Sequence, residues 1–476
     1  MKKRYILRIF CFIFLVWLLL HSLERLFITK TPEYMMMDEF LALERDSVDL
    51  LCIGSSYAYT SFDTEVYWNK YGIPSFCISG PSQPISYSYS YLKYAFKIQH
   101  PKVVLLEGSC MGLASNDYEY GNVVNTAWMP YSKERADVLQ YVMHDAYRSN
   151  MEWNLNYFHR RWSELSYEDF HFVLKNNRPK TKGFNPWWNY EEYSNSLPVY
   201  ATDYYIEPDV KTVEYVDKII TLCEEQGAKL VVYLSPHDFD ENTYGIMNWY
   251  RNYLTNHNIE MIDGVQLSDE LGINPKVDMS LGHVSYTGAV KLSDYIGNYL
   301  SKKQYVVDRR SEKGRKYEIW EEWSHYYENT AALYMMINVK GTEEYINALP
   351  TLKNSIVVME YRGGVQEEQI DEGARAAIRN AGLDLDFSNN ITYISVWADG
   401  VMVDQFQTAE SIYDKNMLDH HLEIVTDAQN AISILVDNER ITKPNQVIAE
   451  NVLQIFVYDA ISGKLIESRT LNLIEK

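Results

Sequence analysis

Cysteine is scarce. Five residues in 476 (Cys11, Cys52, Cys77, Cys110 and Cys223) are too few and too scattered for a disulfide framework or a zinc site. Basic charge is scarce too: 44 Lys and Arg stand against 65 Asp and Glu, a formal net charge of −21. That balance excludes nucleic acid as a partner, because affinity for phosphate backbones needs a basic face. There is no glycine-rich phosphate loop, since Gly363-Gly364 reads as a turn, and no internal repeat or low-complexity stretch. His420-His421 lacks the carboxylate or cysteine spacing of a metal site. Asp384-Leu385-Asp386 is a solvated acidic pair without the rest of a calcium loop. The expectation is no metal and no bound cofactor.

What is present is apolar and aromatic. A hydrophobic content of 46% with 14% aromatics excludes disorder, and the length predicts about two or three domains. Tyrosine reaches 40 residues, which fits either sugar-stacking surfaces or a compositional bias.

At the N-terminus Lys2, Lys3, Arg4 and Arg8 precede an uninterrupted apolar run, Ile9 to Leu20. Its 12 residues are short for a span of about 20, but counting from Tyr5 with Arg8 snorkelling makes one feasible. A cleaved signal peptide needs a small-x-small site, and Leu23-Glu24-Arg25-Leu26 is a poor one. The reading is an uncleaved anchor over residues 1–30, with Lys2 to Arg4 cytoplasmic and the bulk of the chain outside the cell membrane. Residues 1–30 carry +5, 31–330 carry −15 and 331–476 carry −11, so the only basic cluster is this orientation signal. Cys52, Cys77 and Cys110 lie in or beside apolar runs and are expected as buried free thiols.

From residue 48 short apolar runs alternate with helical segments. Val48 to Ile53, Ile73 to Ile78, Pro101 to Leu106 and Lys229 to Leu234 read as buried strands. Tyr87 to Ile98, Val210 to Glu225 and Thr287 to Leu300 read as helices. This predicts an α/β domain over 45–302, a parallel sheet with helices on both faces. Residues 110–205 would form an inserted cap. Ligands of such sheets bind beyond the carboxyl ends of the strands. After a boundary segment, 303–331, the pattern changes to a smaller β-rich α+β domain over 332–476. Its strands are expected at Ala332 to Val339, Ser355 to Tyr361, Ile391 to Trp397, Ala431 to Val436 and Leu453 to Tyr458, with a helix from Gln369 to Ala381.

Ser56 follows the first strand in Gly54-Ser55-Ser56, where a tight strand-to-helix turn exposes a hydroxyl. The same three residues also suit a plain helix N-cap. His283 is the best base, Asp278 can orient it, and Gly80 and Gln83 can supply oxyanion donors. His237, after the Lys229 to Leu234 strand, is either a loop histidine or part of the pocket lining.

The stretch "DLLCIGSSYAYTSFDTEVYWNKYGIPSFCISGPSQPISYSYSYLKYAFKIQHPKVVLLE" resembles the first half of an SGNH (GDSL-type) hydrolase domain. The branch is the membrane-anchored one, associated with bacterial cell-surface polymers. "VDKIITLCEEQGAKLVVYLSPHD" and "LGINPKVDMSLGHVSYTGAVKLSDYIGNYL" resemble later parts of the same domain. The resemblance makes Ser56 the nucleophile, Gly80 the oxyanion glycine and His283 the base. It departs from the family at Ser280, where the orienting Asp normally stands, so that Asp278 lies five residues before the histidine. Tyr57 occupies a position where close relatives often have His. Asn116 is the one match offered for the third-block oxyanion Asn. "EEQIDEGARAAIRNAGLDLDFSNNITYISVWADGVMVDQF" with "LQIFVYDAISGKLIESRTL" is similar to the interleukin-like EMT-inducer domain, with a hairpin turning at Ser462-Gly463.

The resemblances imply an extracytoplasmic serine esterase or O-acyltransferase. It would act on a cell-surface or exopolysaccharide glycan through an acyl-serine, beside a multispanning membrane acyltransferase. The displaced Asp and the second module keep an alternative open: a catalytically degenerate glycan-binding or assembly protein of the envelope.

Overall fold

The computed structural model describes residues 2–115, 118–143, 145–166, 169–170, 172–173, 181–187, 197, 200–312, 314–324, 326–336, 339, 341–408, 411–426, 431–443, 446–447, 450–461 and 463–474. Two compact units divide the chain, Met1–Ser324 and His325–Lys476.

The first unit is built on five parallel strands: β1 Leu50–Gly54, β2 Ser75–Ser79, β3 Val103–Glu107, β4 Lys229–Leu234 and β5 Glu260–Asp263. Their order is β2-β1-β3-β4-β5. β1 to β3 and nearly all of β4 are buried, which is why they read as continuous apolar runs rather than alternating ones. Odd and even positions part company. Leu51, Ile53, Val104, Leu106, Leu230 and Val232 pack against the helices Ile85–Ala95, Val210–Gln226 and Glu241–Asn256. Leu50, Cys52, Val103, Leu105, Val231 and Tyr233 pack against the helices Ser56–Ser61, Thr64–Tyr71 and Tyr286–Lys302. Each such aliphatic side chain stabilises the fold by roughly 1.5–3 kcal/mol relative to exposure. β5, absent from the sequence reading, is only four residues long and half-exposed at its start.

The chain runs from β1 outward to β2 and then crosses back to β3 on the other side. The carboxyl ends of β1 and β3 are therefore the switch point where open α/β sheets leave a crevice. Gly54 is required there: a Cβ would stand 2.7 Å from Glu107 Cβ.

The helix Lys2–Phe27 includes Tyr5–Phe27, 23 residues of hydropathy 2.3 with none of the apolar window buried, long and apolar enough to cross a membrane. Its last turn is held by the unit, with Asn154 Nδ2 donating to Glu24 Oε1 at 2.8 Å. All five cysteines are free, Cys11 exposed and the other four buried.

After a two-stranded hairpin, β6 Met279–Ser280 and β7 His283–Val284, the remaining strands belong to the second unit. They are β8 Ser355–Arg362, β9 Thr392–Ala398, β10 Val401–Thr408, β11 Ser411–Met417, β12 His420–Thr426, β13 Ala431–Val436, β14 Glu439–Arg440, β15 Gln446–Val447, β16 Val452–Asp459 and β17 Lys464–Asn472. One antiparallel sheet runs β10-β9-β8-β16-β17, and a second runs β11-β12-β13-β14 with β15 paired to β13. Ile356, Val358, Ile394 and Phe456 face Leu422, Ile424 and Ile434 of the second sheet. Val357, Met359, Tyr361 and Ile455 face the helices Thr342–Ala348 and Glu372–Asn380.

The expected strand at Ala332 to Val339 is not one: the helix Tyr326–Met335 runs into it. A short apolar run such as Ala331 to Met336 fits both periods, and here its alanines and leucine favour helix. β16 and β17 pair as an antiparallel hairpin, with Gly463 at φ 69°, while Ser462 lies outside the described residues.

Candidate active site

Three strand ends and the β6–β7 hairpin converge. Ser56 opens the helix after β1, and His283 begins β7. His283 Nε2 lies 2.9 Å from Ser56 Oγ. The other ring nitrogen, Nδ1, lies 3.2 Å from the Leu281 carbonyl. A carbonyl only accepts, so Nδ1 carries the proton and Nε2 is left to accept from the serine hydroxyl.

The hairpin loop is two residues, Leu281 and Gly282, at φ 48° and 77°. Positive φ at both positions suits a type I′ turn, which favours Asn-Gly. Both loop carbonyls are used: Leu281 O receives His283, and Gly282 O receives His237 Nδ1 at 2.5 Å. A half-exposed leucine in left-handed backbone costs about 1–2 kcal/mol. Leu281→Asn is therefore expected to raise stability by about 1 kcal/mol in thermal denaturation.

Asp278 does not orient His283. It ends the short helix Pro275–Asp278, and its buried carboxylate accepts from Asn274 N at 2.7 Å and from Lys291 Nζ at 2.5 Å. The hairpin between the two residues carries the imidazole away from it. Ring faces surround the imidazole instead. Tyr57 stacks on His283 at 4.4 Å between centroids with 19° between planes, and Trp187 does so at 4.9 Å and 16°. Trp187 arrives from the segment after residue 180, tied down by a bridge to Ser285 and by Asn185 N donating to Tyr59 O at 2.8 Å. Burial lowers the His283 pKa to about 4, so the ring is neutral near neutrality. An imidazolium formed during reaction would be stabilised by the two π faces.

A second pair stands beside the first. Tyr57 OH and His237 Nε2 are 2.7 Å apart, and Asp238 lies 3.2 Å from His237 Nδ1. Burial pushes the Tyr57 phenol up and the His237 pKa down, so Tyr57 donates to a neutral imidazole.

Beside the Gly54–Ser56 turn Glu107 is fully buried at the end of β3. Ser109 Oγ donates to it, Ser55 Oγ lies 3.4 Å away, and Ser55 Oγ and Ser109 Oγ are 2.9 Å apart. Burial raises its pKa to about 7, against hydrogen bonds from Ser109, Ser235 and Ser55 that lower it.

Gly80 follows β2, whose Ser79 is in register with Gly54. A Cβ on Gly80 would lie 1.9 Å from Asn125 Oδ1. Only glycine lets Asn125 approach, and the Asn125 amide donates to Pro81 O at 3.2 Å. Gln83 is buried, with its Nε2 donating to Ser88 Oγ at 2.9 Å, so that amide is turned away from the role expected of it. Asn116 lies outside the described residues. His420 and His421 are engaged by Asp437 and Asp414, and Asp386 caps the turn at Ser388.

Sequence reasoning missed Trp187, Glu107 and Asn125. An acidic residue closing the apolar run Val103 to Leu106 was a readable signal for Glu107. Nothing local marked Trp187, which meets His283 across 96 positions.

A doubly wound parallel α/β unit with a Ser–His pair at its switch point is thus the class of protein that fold and site define. No family model matches the chain, and no curated protein matches it.

Proposed function

We propose that the first unit is an extracytoplasmic serine acyl-esterase or O-acyltransferase of the SGNH type. Its acceptor would be a cell-surface or exopolysaccharide glycan, and the helix Lys2–Phe27 would anchor it in the cell membrane. The observation that carries the reading is the 2.9 Å contact between Ser56 Oγ and the unprotonated nitrogen of His283. Ser56 Oγ attacks an acyl carbonyl, and its proton passes to His283 Nε2. The leaving alkoxide takes that proton, and a sugar hydroxyl or water then releases the acyl group by the reverse transfer. The groups touching Ser56, His283 and His237 among the described residues are aromatic, hydroxyl, carbonyl or acidic, with no Lys or Arg. Such a lining suits a neutral, hydroxyl-rich acceptor better than a polyanion. A multispanning acyltransferase in the same membrane would be the donor.

The test is covalent labelling of the full chain by a serine-reactive fluorophosphonate. One adduct is expected, on Ser56, and none on Ser56→Ala. A folded chain that takes no label defeats the reading. The labelling rate should fall as pH drops through about 4, where His283 protonates, and hold steady across 6.5, where an ordinary histidine titrates.

A second reading is a glycan-binding or assembly protein that has lost turnover. What favours it is that no carboxylate among the described residues hydrogen-bonds His283, and a cavity of about 320 Å³ in the second unit, lined by Tyr361, Tyr393, Asp384, Gln405 and Gln407 among others. Glycan binding that survives in Ser56→Ala, with no labelling of the wild type, would select it.

A further inference from the structure

Four large aromatic side chains stand exposed where the helix Lys2–Phe27 meets the rest of its unit: Tyr131, Trp153, Trp162 and Phe170. Trp162 is the most open, 73% exposed. A single uncovered tryptophan is ordinary, whereas several exposed aromatics gathered around one helix exit mark a contact. Tyr131 itself, and the residue next to each of the other three, is tied to the exit of the helix. The Tyr131 hydroxyl donates to Glu24, and Asn154, beside Trp153, donates to the same carboxylate. Arg161, beside Trp162, donates to the Phe27 carbonyl. Asp169, beside Phe170, accepts from Lys30 at 2.6 Å. Trp128 Nε1 donates to Thr29 O at 3.0 Å, and the Arg25 guanidinium lies 5.5 Å from the Trp128 ring. The helix therefore does not leave through a loose linker; its last turn is clamped.

The clamp fixes the height of the aromatics. Glu24 and Arg25 are the first charges after Arg8, so the hydrocarbon layer ends near Leu20 or His21. At about 1.5 Å per residue, Glu24 stands about 5 Å beyond that level, inside the headgroup layer. Tyrosine and tryptophan favour that layer, with the ring on the apolar side and the polar atom in water. Exposed Arg160, whose guanidinium lies 4.0 Å over the Tyr157 ring, adds a cation for lipid phosphate.

We infer that Tyr131, Trp153, Trp162 and Phe170 form a rim that seats the first unit on the headgroup layer of the bilayer in which the helix is anchored. The inference rests on reading Lys2–Phe27 as that anchor. The occupant is lipid because the rim is continuous with a span whose apolar window is itself uncovered.

The test places a nitroxide on the full chain in nanodiscs of phosphatidylcholine and phosphatidylglycerol and compares collisions with oxygen and with a water-soluble nickel chelate. Trp162→Cys and, separately, Trp153→Cys carry the label in a Cys11→Ser background, where the other cysteines are buried. The native Cys11 carries it in a third sample. At 162 and 153 the oxygen-to-nickel ratio should stand several-fold above that of the free label in buffer, and below that at Cys11. Buffer-like ratios at 162 and 153 with a high ratio at Cys11 would overturn the rim and leave the anchor standing. Buffer-like ratios at all three would overturn both. Exclusion of both reagents at 162 and 153 would mean that another protein covers the surface, which also overturns the proposal.

Discussion

His283→Ala is expected to slow phosphonylation of Ser56 by a fluorophosphonate, with loss of fluoride, by about 10³-fold, whereas Asp278→Asn changes it less than about threefold. The contrast follows from what each residue touches. His283 Nε2 is the only base at 2.9 Å from the serine hydroxyl among the described residues. Asp278 spends its carboxylate on Asn274 N and on half-exposed Lys291. Its loss should appear as stability instead, about 1 kcal/mol once solvent screening of Lys291 is allowed for. Second-order rates of labelling, measured beside thermal denaturation of the same two variants, check both halves. Equal losses of rate would mean that Asp278 reaches the imidazole during reaction and that a triad operates after all.

Glu360→Leu is expected to stabilise the second unit by about 2–4 kcal/mol at pH 8. Glu360 sits in the middle of β8, fully buried, and neither carboxyl oxygen has a hydrogen-bond partner among the described residues. Its register neighbours are Gln454 and Ile394, and its face of the sheet is the one that packs on the second sheet through Ile356 and Val358. Burial alone holds this carboxyl well above the ordinary value, so the folded state keeps a proton that the unfolded chain releases above about pH 4.5. The cost is therefore smallest below that pH and grows as pH rises toward the folded value. Hydrogen exchange of peptides covering β8, wild type against variant at matched pH, should show a gain that is larger at pH 8 than at pH 6. A variant that is less protected than wild type, or a gain that does not change with pH, would show that Glu360 finds a partner in solution.

Much of the first unit was legible because its strands are buried on both faces. Lys229 to Leu234 was read to the residue, and the strands at 50, 75 and 103 within two, since continuous apolar runs closed by glycine or proline leave little choice. β5 escaped because Glu260 to Asp263 mixes two acids with two apolar residues at a sheet edge, where burial no longer dictates composition. The second unit misled at Ala332 to Val339, where a short apolar run fits the helical and the strand period alike. At the site, the sequence placed the serine and the histidine in one domain, and their approach to 2.9 Å needed the fold. It could not see that the imidazole would rest between two rings, because Trp187 lies in a segment with no readable pattern. Nearness in sequence points to Asp278, and a hairpin makes sequence distance a poor guide to reach.

That hairpin has a further consequence. Two imidazoles hang from consecutive carbonyls of one two-residue loop, so a single peptide unit sets the spacing between His237 and His283. Strand side chains alternate faces with every residue, so one added or deleted residue in the loop would swing His283 to the opposite side of its ribbon and away from Ser56. Substitution at Leu281 changes only an energy, while a change of length takes His283 away from Ser56. The loop behaves as a gauge: tolerant in composition, intolerant in count. A chain that keeps Ser56 and His283 yet lengthens this turn would keep both residues and lose their meeting.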